Sequence, residues 1–270
     1  MTSARISTLA SLRGRIERIE SASMESTSEA HDAPRRIALG HASADAMLKG
    51  GLAKAAVHEV FCAGHQGASA TGFVAGLARR VASRRPLVWV RQDFSELESG
   101  ALSMSGLCEL GLDPRLVVTV RAADIDSALR TTADALACDA LGAVVMEVWG
   151  DAKQLDLVAS RKLTLAAQAS GVTALLLRIA ATPSPSTAET RWIVRAAHSP
   201  PAAPWHAWGA PVFDAELIRN RHGLLGRWIM EWKCDECLFA KQAADSRSLA
   251  AAPAHRPHPA QAGVQHRRAG

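Results

Sequence analysis

Residues 59–73, EVFCAGHQGASATGF, run from an apolar strand into a loop of small residues and then into a helix. That arrangement suits phosphate binding. In the pattern GxxxxGK[ST], backbone N–H groups cradle the phosphates, the lysine neutralises them and the hydroxyl binds magnesium. With Gly67 on the second glycine, Cys62 falls on the first, Ala68 on the lysine and Ser69 on the hydroxyl. Gly64, Gly67 and the helix start still offer N–H donors to an anion, and Ser69 and Thr71 still offer hydroxyls. The positive charge is gone. A charge-assisted contact of this kind is worth ~2–3 kcal/mol. Its loss weakens a triphosphate's hold roughly 30- to 150-fold and removes charge stabilisation from the transition state of phosphoryl transfer. Two readings of the loop stay open: a tight strand-to-helix turn kept for packing, and a residual anion site. No catalytic residue and no tightly held cofactor is expected; weak binding of ATP and magnesium stays open.

The elements that must position this loop follow from periodicity. Five apolar runs, VHEVF (57–61), PLVWV (86–90), LVVTV (116–120), GAVVMEV (142–148) and TALLLRI (173–179), alternate with helical patterns at 70–83, 96–110, 124–137 and 155–171. Strand and helix in turn predict an α/β fold with a mostly parallel sheet flanked by helices. Runs apolar at nearly every position suit strands covered on both faces. RWIVRAA (191–197) and GRWIMEWK (226–233) alternate polar and apolar residues, which predicts antiparallel edge strands. Ile6, Leu9, Leu12, Ile16 and Ile19 recur at three- and four-residue steps, an amphipathic helix. The chain thus divides into an N-terminal amphipathic helix and linker (1–36), a core domain (37–240) and a basic tail (241–270) with too few large apolar groups to order itself.

Composition narrows the classes. Of the 270 residues, 48% are apolar, enough for a real core. No run of eighteen apolar residues exists and the N-terminus is too polar for a signal peptide, which predicts a cytoplasmic protein without a membrane partner. Five scattered cysteines are no disulfide framework. Cys234 and Cys237 form one CxxC, but zinc needs about four ligands and no second pair follows, so no metal site is expected. The net charge of +5 includes +3 from residues 243–270, so the body is weakly basic and does not announce nucleic-acid binding.

The order of these pieces resembles the RecA recombinase fold, a P-loop NTPase core. IALGHASADAMLKGGLAKAAVHEVF (37–61) is similar to that family's approach to its nucleotide strand, with a double-glycine turn, Gly50–Gly51–Leu52, and a strand glutamate, Glu59. GAVVMEVWGD (142–151) resembles the second nucleotide motif, whose acid orients a magnesium water; here it is Glu147 rather than aspartate. WVRQDF (89–94) ends where the family carries its catalytic glutamate, with Asp93 nearest. TALLLRI resembles the strand ending in the Asn-Gln sensor of the γ-phosphate, and Arg178 and Ile179 stand there instead. Lysine, first glycine, catalytic glutamate and sensor pair are all altered. Four such changes argue against efficient hydrolysis, because phosphoryl transfer depends on positioning and charge.

Residues 35–240 resemble one RecA-like family in particular, ImuA, sometimes described as RecA-like or SulA-like. LIRNRHGLLGRWIMEW (217–232) carries its Arg-Asn-Arg-x-Gly turn (Arg219, Asn220, Arg221, Gly223) and its tryptophan rhythm (Trp228, Trp232). The resemblance implies a cytoplasmic protein, nucleoid-associated when induced by the SOS response to DNA damage. It would act in DNA repair by error-prone, mutagenic translesion synthesis, without polymerase activity of its own. Its implied partners are an ImuB-type adaptor polymerase, an error-prone polymerase III alpha-type subunit and RecA, with DNA contact indirect or weak. Rival expectations are a SulA-like cell-division inhibitor and an active DNA-dependent ATPase.

Candidate partner contacts are Leu9, Leu12, Ile16 and Ile19 on the N-terminal helix, and Arg219, Arg221, Trp228 and Trp232 near the end of the core. Each has a plainer alternative. The N-terminal helix could fold back on its own core. Trp228, Met230 and Trp232 share one strand face and could be packing residues. Asn220 and Gly223 could supply a turn of positive φ, leaving the arginines merely solvated. The stretch PSPST (183–187) falls where RecA proteins carry a mobile DNA-binding loop, but it lacks the glycine-rich, basic make-up.

Overall fold

The computed structural model describes residues 35–201 and 208–242, with helices and strands placed between 36 and 241. The strands are β1 (Arg36–Ile37), β2 (Leu52–Ala53), β3 (Val57–Cys62), β4 (Leu87–Gln92), β5 (Val117–Ala122), β6 (Ala143–Trp149), β7 (Thr173–Ile179), β8 (Thr190–Ala196), β9 (Val212–Asn220), β10 (Gly226–Lys233) and β11 (Leu238–Lys241). The helices are α1 (Ala42–Met47), α2 (Gly67–Ala82), α3 (Asp93–Ser99), α4 (Met104–Glu109), α5 (Ile125–Leu136) and α6 (Leu157–Ser170). β1 and β2 form a small ribbon; the other nine strands form one mixed sheet in the order β11-β10-β9-β8-β3-β7-β6-β4-β5.

The apolar runs take the centre because they can be buried on both faces. β3, β6 and β7 are buried at almost every position and lie parallel. Helix α2 covers one face with an aromatic-rich core of Phe73, Trp89, Trp192, Trp232 and Phe239. On the other face Ile125, Ala128 and Leu136 of α5 and Leu163 and Ala167 of α6 pack on Val144, Met146, Val148 and Leu176. No helix among the described residues is long and apolar enough to cross a membrane.

Four local expectations need correction. β8 is no edge strand: it pairs parallel with β3 and antiparallel with β9. β10 likewise has β11 outside it. The alternation that suggested edges arises because the antiparallel half is covered by α2 on one face only. The opposite face carries ion pairs such as Arg227–Asp214 and Arg195–Glu216. The pattern at 96–110 is two helices, not one. Gly100, at φ 77°, ends α3, and the Ser103 hydroxyl accepts the Gly106 N–H to start α4. The Arg-Asn-Arg-x-Gly turn does not use positive φ at Asn220 or Gly223. Instead the Asn220 amide donates to the Met47 and Leu224 carbonyls, and a Cβ on Gly223 would run into the Asn220 amide and the Met47 carbonyl. The double-glycine turn does use positive φ, at 106° and 119° for Gly50 and Gly51.

β3 also buries a histidine. His58 is fully buried between two partners: the Thr190 hydroxyl at 2.7 Å from Nδ1 and the Ala53 carbonyl at 2.8 Å from Nε2. A carbonyl only accepts, so Nε2 carries the proton; Thr190 Oγ1, which accepts the Trp192 indole N–H at 3.0 Å, donates to Nδ1. Burial lowers the His58 pKa from 6.5 to about 4. The neutral form is the folded form, so its contribution is complete above pH 6.5 and lost as the pH falls toward 4. Wild-type stability is expected to drop by ~3 kcal/mol across that window. His58→Gln is expected to flatten that part of the profile, measured by urea unfolding at stepped pH.

Candidate functional site

The phosphate-binding reading of residues 62–71 can be judged from its geometry. β3 ends at Cys62, and residues 63–66 form a single tight turn before α2 begins at Gly67. Two of the amides that would face a phosphate are spent inside it: Gln66 N–H donates to the Ala63 carbonyl at 2.9 Å, and Gly67 N–H to the Gly64 carbonyl. Gln66 Oε1 accepts the Ala196 N–H at 2.7 Å, which fastens the turn to β8. The walls are apolar. A Cβ on Gly64 would stand 3.2 Å from the Trp149 ring, and one on Gly67 3.7 Å from Ile179. Ile179, in the sensor position, has a side chain that offers no hydrogen bond. Ala68, in the lysine position, is exposed. Ser69 Oγ is buried without a hydrogen-bond partner, and Thr71 is half-buried on the next turn. Burial pushes the Cys62 thiol up to about 12, so it stays protonated and is no nucleophile.

Glu147 lies on β6, two strands along from β3 and on the α2 side of the sheet. It is 1% exposed, and both of its oxygens are engaged. Arg91 on β4 donates to Oε1 at 2.8 Å and the Trp89 indole to Oε2 at 3.0 Å. Arg91 also donates to the Gly100 carbonyl and the Ser99 hydroxyl, which fixes the end of α3. A magnesium ion or its waters would have to displace a buried guanidinium to reach this acid. Asp93, nearest the catalytic-glutamate position, opens α3 and accepts from Arg121 at 3.0 Å. The acid, its guanidinium and the indole thus fill the space and neutralise one another.

Sequence reasoning missed Arg91 and Trp89. Arg91 is a lone arginine in the apolar stretch LVWVRQ and Glu147 the lone acid of β6, but only the strand register, which sets Arg91 opposite Glu147, pairs them. A second matched pair, Glu59 and Arg191, lies across β3 and β8 with a 2.8 Å ion pair, and Ser186 Oγ–H donates to the same carboxylate oxygen. The PSPST stretch is therefore tied down, with the Ser184 carbonyl and Ser186 hydroxyl both accepting from Arg191.

Gly64, Gly67, Ser69 and Thr71 share the turn and the start of α2; Glu147 lies two strands away, close enough to raise the Cys62 pKa, and is already occupied. Arg219, Arg221, Trp228 and Trp232 lie apart, in the antiparallel half. Trp232 is fully buried and donates to the Leu110 carbonyl, so it is a core residue and presents no surface to a partner. Trp228 is partly buried, packed against Trp192 at 6.0 Å between ring centroids. Arg219 is half-buried and Arg221 exposed. Leu9, Leu12, Ile16 and Ile19 lie outside the described residues. A cavity of about 420 Å³ opens at the opposite edge of the sheet, lined by Arg79, Arg84 and Arg85, and takes no part in this arrangement.

Fold and site together define an α/β protein with a large, mostly parallel mixed sheet whose central strand-to-helix loop has small residues and no cation. No protein-family model matches the chain. It is 31% identical over 211 residues to Protein ImuA of Caulobacter vibrioides, a match covering 72% of this chain and 82% of that protein, and equally similar to the same protein from a second strain. The chain belongs to the ImuA family.

Proposed function

We propose that this protein is a non-catalytic, RecA-like accessory factor in SOS-induced, error-prone translesion DNA synthesis. It works in the cytoplasm and at the nucleoid, through contacts with an ImuB-type adaptor polymerase, an error-prone polymerase III alpha-type subunit and RecA. The observation that carries the non-catalytic part is the capture of Glu147 by Arg91 and Trp89 beside a loop without lysine. The RecA-like part is supported by β3 lying inside the sheet with one strand, β7, between it and the acid-bearing β6. Family membership supports the role in damage tolerance.

The test has a biochemical and a cellular arm. Purified chain is expected to show no ATP hydrolysis above background, with or without single-stranded DNA. Deleting the gene is expected to abolish damage-induced mutation, and a copy carrying Ser69→Ala is expected to restore it. Hydrolysis that rises with single-stranded DNA and vanishes in Ser69→Ala would establish the active ATPase instead. Unchanged mutation frequency together with filamentous cells on overexpression would establish the division inhibitor.

A further inference from the structure

β7 is apolar over four successive positions before it reaches Arg178. Arg178 is 2% exposed. Its sheet neighbours in register are Phe61 on β3 and Val148 on β6. It therefore shares the face of Val148, the one covered by α5 and α6, while the next residue, Ile179, points the other way toward Gly67. Whatever Arg178 holds is separate from the altered loop.

The guanidinium lies 5.4 Å from the Phe61 ring centroid, and that of Arg191 lies 5.5 Å from it. Arg191 is satisfied by Glu59, Ser186 and the Ser184 carbonyl. Arg178 is not: its Nε and Nη1 are buried and have no hydrogen-bond partner. The charged groups around it are Glu59, Asp151 and Arg191, so the buried part of the cluster has two cations against one carboxylate. Asp151, at the exposed rim, takes the Thr182 N–H at 2.8 Å and hydroxyl at 2.9 Å on one oxygen, Oδ1, and makes no hydrogen bond to Arg178. Burial, with Arg191 adding to it, pulls the Arg178 pKa below the ordinary arginine value. Two orphaned donors on a buried guanidinium are costly, and an apolar residue of similar size would be neutral or stabilising here. Ala180, Thr182, Pro183 and Pro185 form an exposed segment directly after this strand, so solvent is close.

We propose that Arg178, backed by Arg191, is the floor of a binding site for a small oxyanion of the phosphate class, at the C-terminal ends of β3 and β7. A tetrahedral anion carries enough acceptor oxygens to satisfy both orphaned nitrogens, which Glu59 and Asp151 do not reach. The group is a free phosphate, a phosphomonoester or one phosphodiester of a nucleic-acid strand.

The full chain would be melted in sodium phosphate and in sodium chloride of equal ionic strength, and titrated with phosphate by calorimetry. The wild-type Tm is expected to rise with phosphate beyond the chloride control. Arg178→Met is expected to melt at or above wild type in chloride and to lose the phosphate response. Asp151→Asn, which removes the rim charge and keeps the side-chain acceptor, is expected to bind phosphate ~3-fold more tightly. That variant decides the matter if Arg178→Met does not fold. A wild-type Tm that ignores phosphate, an Arg178→Met that keeps the response, or an Asp151→Asn affinity equal to or weaker than wild type would each overturn the site. Displacement of phosphate by a single-stranded oligonucleotide supports the site with a phosphodiester as its ligand. Retention of phosphate supports it with a free phosphate or monoester.

Discussion

Glu147→Ala is expected to destabilise the folded chain by ~3–5 kcal/mol, because breaking a buried ion pair leaves its other charge stranded. The side chains of Arg91 and Glu147 are 7% and 1% exposed and meet at 2.8 Å. Removing the carboxylate strands the guanidinium and also orphans the Trp89 indole N–H. Replacing both charges at once, as Arg91→Met with Glu147→Leu, is expected to recover most of the loss, since an apolar pair of similar volume avoids the desolvation cost. Urea unfolding of the two single variants and the double variant measures this directly. A metal-orienting acid predicts the reverse, with the fold intact, ATP hydrolysis lost and no rescue by the second change. Glu147→Ala unfolding within ~0.5 kcal/mol of wild type would fit that alternative, since such small effects are typical of changes away from buried networks.

Trp232→Ala is expected to cost a similar ~3–5 kcal/mol, the range for truncating a buried aromatic. The ring lies 4.8 Å from that of Phe239, its Nε1–H donates to the Leu110 carbonyl, and α2 passes so close that a Cβ on Gly76 would stand 3.0 Å from the indole. The surroundings can relax into the space only in part, because a helix backbone, a strand and the loop after α4 all rest on this one side chain. Thermal unfolding of the purified variant gives the result. A tryptophan serving a partner instead would leave the Tm unchanged and abolish complex formation, and that outcome would return Trp232 to the surface candidates.

The parallel half of the fold was legible because burial on both faces writes itself into sequence as unbroken apolar runs. The expected run 173–179 is β7 itself, and the other four fall within two residues of their strands. β9 was not legible. Asp214 and Glu216 interrupt its apolar residues, and only the opposing strands show why, through Arg227 and Arg195. At the loop, the missing lysine could be read from residue types alone. What neutralises Glu147 could not. Arg91 lies far back in the chain and meets Glu147 only because a helical crossover lays β6 beside β4. Strand order is a nonlocal property, and no spacing along the chain encodes it.

The clasp between Gln66 and the Ala196 amide has a wider consequence. It fixes the turn after β3 to β8, the strand that opens the antiparallel half. On the proposed non-catalytic role, the two halves of the sheet then meet partners as one joined surface, and the protein's influence is governed by how many copies the cell makes and how tightly each one docks.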